Sequence, residues 1–274
     1  MTNILHRVTL LRHGELMTKQ HISYSELKIF TECPYKWKLQ YLDNLKGFTG
    51  NVYTAFGSAI HAVCEQSALG KLEPEDYAEY FDIAFLDELR KLDEKPKSKM
   101  IVDMREQSRE IFHKVFPALQ ELFPNYEVYS SEEAIYEPIR ELKFTRYLKG
   151  FVDLVVKTPD GKYHIIDWKS CSWGWDMKRK SEPMTTYQLT LYKKFFCEKH
   201  EVDPSMVETY FGLLKRTAKK DNVEIFRVTS GPKKTENATK VLTDACTLIN
   251  RGTTIKNRNS CTKCSFNNTE HCTR

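Results

Sequence analysis

Residues 149–170 read KGFVDLVVKTPDGKYHIIDWKS, and this stretch decides the fold. Its two arms are rich in β-branched and aromatic residues and are separated by TPDG, a turn signal, so it predicts a β-hairpin. Side chains alternate along a strand, which puts Asp167 and Lys169 on one face and Trp168 on the other. Closing the hairpin brings Asp153 of the first arm close to the Asp167 face. Like charges placed together repel unless a cation sits between them, and divalent cations take oxygen ligands. These residues alone leave two readings side by side: an exposed hairpin with a salt bridge, and a metal site.

Outward from the hairpin the pattern is mixed. Residues 21–45 (HISYSELKIFTECPYKWKLQYLDNL) open with Ser23 and Glu26 at capping-box spacing, and Pro34 predicts two short helices meeting at Cys33. Residues 54–69 predict a helix whose Ala55, Gly57, Ala59 and Ala62 permit close packing. Two further helices, over 74–91 and 99–122, carry charges that read as solvated faces. Residues 126–139 predict a strand before the hairpin. After it, 171–183 predict a loop, 184–199 a helix, 206–215 and 222–228 strands, and 231–250 a last helix. The order is that of a mixed α/β protein with a largely helical N-terminal part. It divides into an extension over 1–22, where VTLL predicts a short strand, and a helical part over 23–125 carrying Cys33 and His61. A core over 126–250 follows, then a polar tail over 251–274 that packs on the N-terminal helices.

Composition excludes little. The chain has 274 residues, 41% hydrophobic and 29% charged, enough for one large or two small globular domains. No apolar run is long enough to cross a bilayer, so no membrane partner is expected. Residues 1–21 are too interrupted by His, Arg and Glu for a secretory signal, although their basic bias leaves an organelle presequence open. A net charge of +5 permits a polyanionic partner without requiring one. Among the eight cysteines, Cys261, Cys264 and Cys272 crowd the tail, which points to ligation rather than a disulfide framework. The expected location is therefore a reducing one, the cytoplasm. Cys64, Cys171, Cys197 and Cys246 read as small apolar packing residues.

Several short patterns occur in a telling order. They are Gly57 to His61 (GxxxH), Gly150-Phe151-Val152-Asp153 (GxxD), Asp167-Trp168-Lys169 (DxK), and Gln188 to Tyr192 (QxxxY), preceded by SYSELKIFTECPYKW. In these motifs, from about Ser23 onward, the chain resembles the PD-(D/E)XK nuclease superfamily and within it the RecB-like exonuclease branch; residues 73–121 match none of them. The resemblance implies a restriction-endonuclease-like mixed central sheet flanked by helices. It implies that Asp153, Asp167 and the backbone carbonyl of Trp168 hold Mg²⁺ or Mn²⁺, with His61 as a further ligand, since imidazole suits Mn²⁺ better than Mg²⁺. Lys169 would orient or deprotonate the attacking water, its pKa depressed by the ion, and Gln188 and Tyr192 would position substrate or Lys169. On the residues alone His61 reads as well as a packed helical histidine bonded to Glu65, and Glu132 and Glu133 read either as a further acidic group for the site or, the favoured reading, as ordinary edge-strand acids.

Cys33 beside Pro34, together with Cys261, Cys264 and Cys272, resembles the iron–sulfur members of the same family, found among bacterial recombination and CRISPR-associated nucleases. That resemblance implies a 4Fe–4S cluster stapling the two chain ends; His271, beside Cys272, leaves a Cys₃His Zn²⁺ site as the competitor. Trp173 and Trp175 beside Lys178, Arg179 and Lys180 combine stacking faces with cations, as single-strand binding requires. Lys215, Arg216, Lys219 and Lys220 form a second basic cluster that reads equally as a solvated loop. The expected function is a metal-dependent DNA exonuclease acting on single-stranded ends. The other readings are a structure-specific endonuclease and a non-catalytic nucleic-acid-binding module. A helicase or recombination protein is a candidate further partner, and action alone stays open beside it; the sequence contains no GxxxxGK[ST] phosphate loop.

Overall fold

The computed structural model describes residues 19–273; the strand expected over VTLL lies outside them. In chain order the elements are β1 (His21–Ser23), α1 (Tyr24–Glu32), α2 (Pro34–Trp37), α3 (Val52–Ala68), α4 (Tyr77–Arg90), α5 (Ser98–Leu122), β2 (Glu127–Pro138), β3 (Tyr147–Lys157) and β4 (Tyr163–Cys171). They continue with α6 (Met177–Ser181), α7 (Pro183–His200), β5 (Val207–Lys215), β6 (Val223–Val228) and α8 (Pro232–Asn250). This is the mixed α/β order expected, with two corrections, the first being the short strand β1 ahead of α1. The segment over 171–183 is not all loop, because the Asp176 side chain accepts the Arg179 N–H and caps α6. No helix among the described residues is long and apolar enough to cross a membrane.

Two compact units interleave along the chain. One takes the described residues up to Phe48, Tyr136–Lys149, and those from Asn237 onward; the other takes Thr49–Ile135 and Gly150–Glu236. In the first, Ser23 Oγ accepts the Glu26 N–H at 3.2 Å and starts α1. Pro34 forces the residue before it out of the helical region, so Cys33 is extended and α1 ends against α2 as predicted. Glu26 is buried but not unpaired, since the Trp37 indole N–H donates to it at 2.9 Å and Lys19 lies at 2.6 Å. β1 runs parallel to the first residues of β3, His21 opposite Tyr147.

The second unit is built on the hairpin. β3 and β4 pair antiparallel, β4 and β5 parallel, and β5 and β6 antiparallel, with β2 beside β3. Parallel β4 and β5 need a crossover, and α6 and α7 supply it. Period-2 alternation then sorts the side chains. Leu154, Val156, Ile166 and Trp168 join a core with Phe56, Ile60 and Val63 of α3, Phe81 and Phe85 of α4, and Ile111 and Phe112 of α5. Phe56 meets Phe81 edge-on at 5.4 Å between ring centres. α7 packs against β4 and β5, where Thr209 Oγ1 and Thr190 Oγ1 both meet Ser230 Oγ.

Trp168 lies opposite Gly212 in the β4–β5 register, and a Cβ on Gly212 would overlap its indole. Gly212→Ala should therefore displace the indole or the strand. The expected cost is about 1–3 kcal/mol, read as a lowered melting temperature, with activity falling as well because Asp167 and Lys169 flank Trp168. An unchanged Tm would show that the indole has room to move.

Candidate active site

The β3–β4 ladder runs from Lys157 opposite Tyr163 to Leu154 opposite Ile166. The next residues, Asp153 and Asp167, sit where the ladder opens. Asp153 Oδ2 accepts the Trp168 N–H at 2.7 Å, so a carboxylate takes the donor that continued strand pairing would have used. Asp167 is 1% exposed; its Oδ1 accepts from Gln188 Nε2 at 2.8 Å, and its Oδ2 faces the Lys169 ammonium in an ion pair but accepts no well-directed hydrogen bond. Alternation thus put Asp167 and Lys169 together and sent Trp168 to the core, as the sequence predicted.

Two helices complete the site. On α3 the buried positions Phe56, Ile60 and Val63 face the core, which leaves His61 at its polar edge, with Nδ1 3.6 Å from Asp153 Oδ2. Gly57, one turn earlier, brings α3 close to β4: a Cβ there would lie 3.0 Å from Ser170 Oγ. On α7, Gln188 Nε2 also reaches the Tyr192 hydroxyl at 3.3 Å. The Tyr192 ring covers Gly150, where a Cβ would come within 2.8 Å of it. The glycine of GxxD and the tyrosine of QxxxY therefore meet directly.

Electrostatics mark the same residues. Burial raises Asp153 to about 6, against the opposing pull of Lys169 and the Trp168 N–H. Burial likewise raises Asp167 to about 6, with Lys169 lowering it and Asp153 adding repulsion. His61 is lowered to about 4, first by burial and then by Lys169. For Lys169 burial acts downward, yet Asp167 and Asp153 together hold it above the ordinary lysine value. The depression expected of Lys169 is that of a bound ion; the protein's own carboxylates act in the opposite direction.

Glu132 and Glu133 part company. Glu133 accepts from Lys199 at 2.6 Å and lies 2.8 Å from His200 Nε2, at the end of α7. Glu132 stands in the left-handed region, φ 50°, an irregularity within β2 of the kind that re-aims a side chain. It is raised to about 7 by burial and then by Asp153, Glu65 and Asp167, so it belongs to the acidic group around the site. Sequence placed both acids on an exposed edge strand, and nothing in two adjacent glutamates distinguished them. Glu65 is not bonded to His61; it contributes to the field at Glu132 and accepts from its neighbour Gln66.

Of the expected nucleic-acid residues, Trp173 is 77% exposed, whereas Trp175 is 8% exposed and packs edge-on against Phe211 at 5.0 Å. Trp175 is therefore no stacking face for a base. Arg179 covers its ring at 4.4 Å, and Lys180 pairs with Glu224, which leaves Lys178 and Arg179 as the exposed cations. In the second cluster Lys215 and Arg216 are buried, so it is not a solvated loop throughout.

In the other unit Cys33, Cys261, Cys264 and Cys272 all line one cavity of about 290 Å³. His271 does not line it and lies 3.4 Å from Glu270. Cys33 Sγ accepts the Asn257 N–H at 3.4 Å, and Tyr35 bonds the tail twice, by N–H to Ile255 O and by hydroxyl to His271 O, both at 3.2 Å. Among the described residues, no three His, Cys, Asp or Glu side chains are drawn tightly enough together to hold an ion as they stand. The donor chemistry nevertheless fits at both places. Where the hairpin opens, the Asp153, Asp167 and Glu132 carboxylates gather as oxygen donors; at the cavity, every sulfur is a free thiol.

No curated protein matches the chain. Among solved structures it is similar to a candidate exonuclease from Eubacterium rectale, with 13% identity, a TM-score of 0.55 and coverage of 85% of this chain and 82% of that one. At that identity the likeness speaks for the fold alone. A second structure, of the protein SSO0001, aligns with 14% identity and a TM-score of 0.42 over 90% of this chain and 84% of that one. Residues 21–269 match the PD-(D/E)XK nuclease superfamily, which accounts for the mixed sheet and for acids and a lysine gathered where its central hairpin opens. The chain belongs to that superfamily.

Proposed function

We propose that the protein is a metal-dependent DNA exonuclease of the RecB-like kind, hydrolysing phosphodiester bonds at single-stranded ends. The observation that carries the reading is the convergence of Asp153, Asp167, Lys169, His61 and Gln188 at the open end of the β3–β4 ladder. Asp153, Asp167, the Trp168 carbonyl and His61 would hold Mg²⁺ or Mn²⁺, which supplies Lewis acidity toward a phosphoryl oxygen. Lys169 would orient or deprotonate the attacking water; its two carboxylate neighbours raise its pKa, and a bound cation would act in the opposite direction. Gln188 fixes the Asp167 carboxylate and is itself held by Tyr192, so these two position rather than react. Incubation with end-labelled single-stranded, duplex and circular DNA in the presence of Mn²⁺ tests the mode; cleavage of circles would replace the exonuclease reading with the endonuclease one. Asp167→Ala and Lys169→Ala should each lower cleavage at least about 100-fold with the fold retained. Cleavage at the wild-type rate by either variant would remove the mechanism.

The tail supports a second element of the reading. Four thiols on one cavity of about 290 Å³ suit a 4Fe–4S cluster better than one Zn²⁺, around which four ligands close to about 2.3 Å. Since His271 lies outside the cavity, the all-thiolate set is the better fit. Anaerobically purified protein should be brown, and loss of the metal should loosen the tail and α1–α2 together. Colourless protein with stoichiometric zinc would exchange the cluster for the zinc site.

For the nucleic-acid surface, Trp173, Lys178 and Arg179 are the exposed candidates on the segment after β4. Each cation that neutralises a phosphate should add about 0.7 to the slope of log K against log salt for single strands. A Lys178→Ala, Arg179→Ala double variant should therefore flatten that slope visibly. Lys180→Ala, which breaks the Glu224 pair instead, should change it less. Equal slopes for all three proteins would mean a solvated loop.

A further inference from the structure

Arg216 is 8% exposed and follows β5 at the point where β4 ends. Its N–H donates to Cys171 O at 2.9 Å, and the Thr217 N–H to Ser172 O at 3.0 Å. The guanidinium donates through Nη1 to Gln107 Oε1 at 2.9 Å and through Nη2 to Ser172 Oγ at 3.0 Å. It also lies over the rings of Tyr53 and Phe56, 4.9 and 5.6 Å from their centres. All these partners are neutral. Lys215, one residue earlier, pairs with Glu224, but among the described residues no carboxylate pairs with Arg216. Aromatic faces and neutral hydrogen bonds offset only part of the cost of burying a cation, and a planar guanidinium has further N–H donors suited to an oxyanion.

Its place in the fold says which anion. Along α3, His61, Gly57 and Tyr53 share one face at four-residue spacing. His61 meets Asp153, Gly57 faces Ser170, and Tyr53 lies under Arg216. Ser170, on the Trp168 face of β4 that α3 covers, and Ser172, just beyond the strand, follow in the same direction. Arg216 therefore ends a line that begins at the nuclease motifs, about 12 Å along α3 from His61. Tyr53 is 49% exposed there, and Trp173, next to Ser172, is 77% exposed.

We infer that Arg216 anchors a phosphodiester neighbouring the scissile one, with Tyr53 and Trp173 as stacking faces for an adjacent base. The inference rests on the nuclease reading and adds to it a subsite for single-stranded nucleic acid. The competing role is a packing pin between α3 and β5, and a substrate modification separates the two. Single-turnover cleavage is measured with single-stranded oligonucleotides carrying a neutral methylphosphonate at each phosphate flanking the scissile bond in turn. At one flanking position the wild-type protein should lose about tenfold in apparent affinity, whereas Arg216→Gln, already weakened on unmodified DNA, should lose less than about twofold more. Arg216→Lys, which keeps the charge in the same socket, serves if the glutamine variant does not fold. It should raise KM several-fold with kcat little changed, and should show a smaller methylphosphonate penalty than the wild type. An equal penalty in wild type and folded variant at every position would overturn the inference and leave the packing pin, with cleavage itself intact. A wild-type protein that cleaves no unmodified oligonucleotide would overturn the nuclease reading and this inference with it.

Discussion

Two carboxylates share the point where the β3–β4 ladder opens, and the cost of burying their charge is the constraint on which the larger unit depends. Lifting each carboxyl from an ordinary 3.8 to about 6 corresponds to about 3 kcal/mol apiece. The sign is that of raised acids: the folded protein carries the cost above pH 6, where both are ionised, and sheds it as pH falls from 6 toward 3.8. Lys169, the Trp168 N–H and Gln188 offset part of it. A cation among these oxygens would offset more, which is why an arrangement costly for stability is suited to phosphodiester chemistry.

The scaffold holds the acids together by close approaches rather than by flexible contacts. Trp168 is sunk into the core over Gly212, which fixes the pleat and with it the directions of Asp167 and Lys169. Tyr192 lies against Gly150, so α7 comes near enough for Gln188 to reach Asp167. Glu133 is tied to Lys199 and His200 at the end of α7, and the turned backbone at Glu132 sends the adjacent acid the other way. A left-handed non-glycine residue costs about 1–3 kcal/mol and persists where its surroundings over-determine it, as the bonds on either side of Glu132 do here. One of these is Ser131 Oγ donating to Asp153 O at 3.2 Å.

The smaller unit solves a different problem. Its tail is mostly polar, with Phe266 its one buried apolar side chain among the described residues, so apolar burial contributes little there. Hydrogen bonds from Tyr35 and Asn257 lay the tail along α1 and α2, and each is worth about 1 kcal/mol net. Four thiols from opposite ends of the chain meet at the same cavity, where ligation would supply a much larger free energy than those bonds.

Sequence by itself determined what depends on local periodicity and spacing. Alternation about Trp168 sorted the hairpin's faces, Pro34 broke the first helix at Cys33, and four-residue spacing put Gln188 and Tyr192 on one side of α7. Each follows from backbone geometry that a few neighbouring residues impose. The tertiary structure decided which of several like residues faces what. Trp175 and Trp173 are two residues apart in one tryptophan-rich loop, yet one is covered by Phe211 and Arg179 and the other is open to solvent. Glu132 and Glu133, and the buried Arg216 beside the exposed Lys219 and Lys220, divide in the same way. Burial of a side chain is set by elements distant in sequence that pack against it, and no short window of residues contains them.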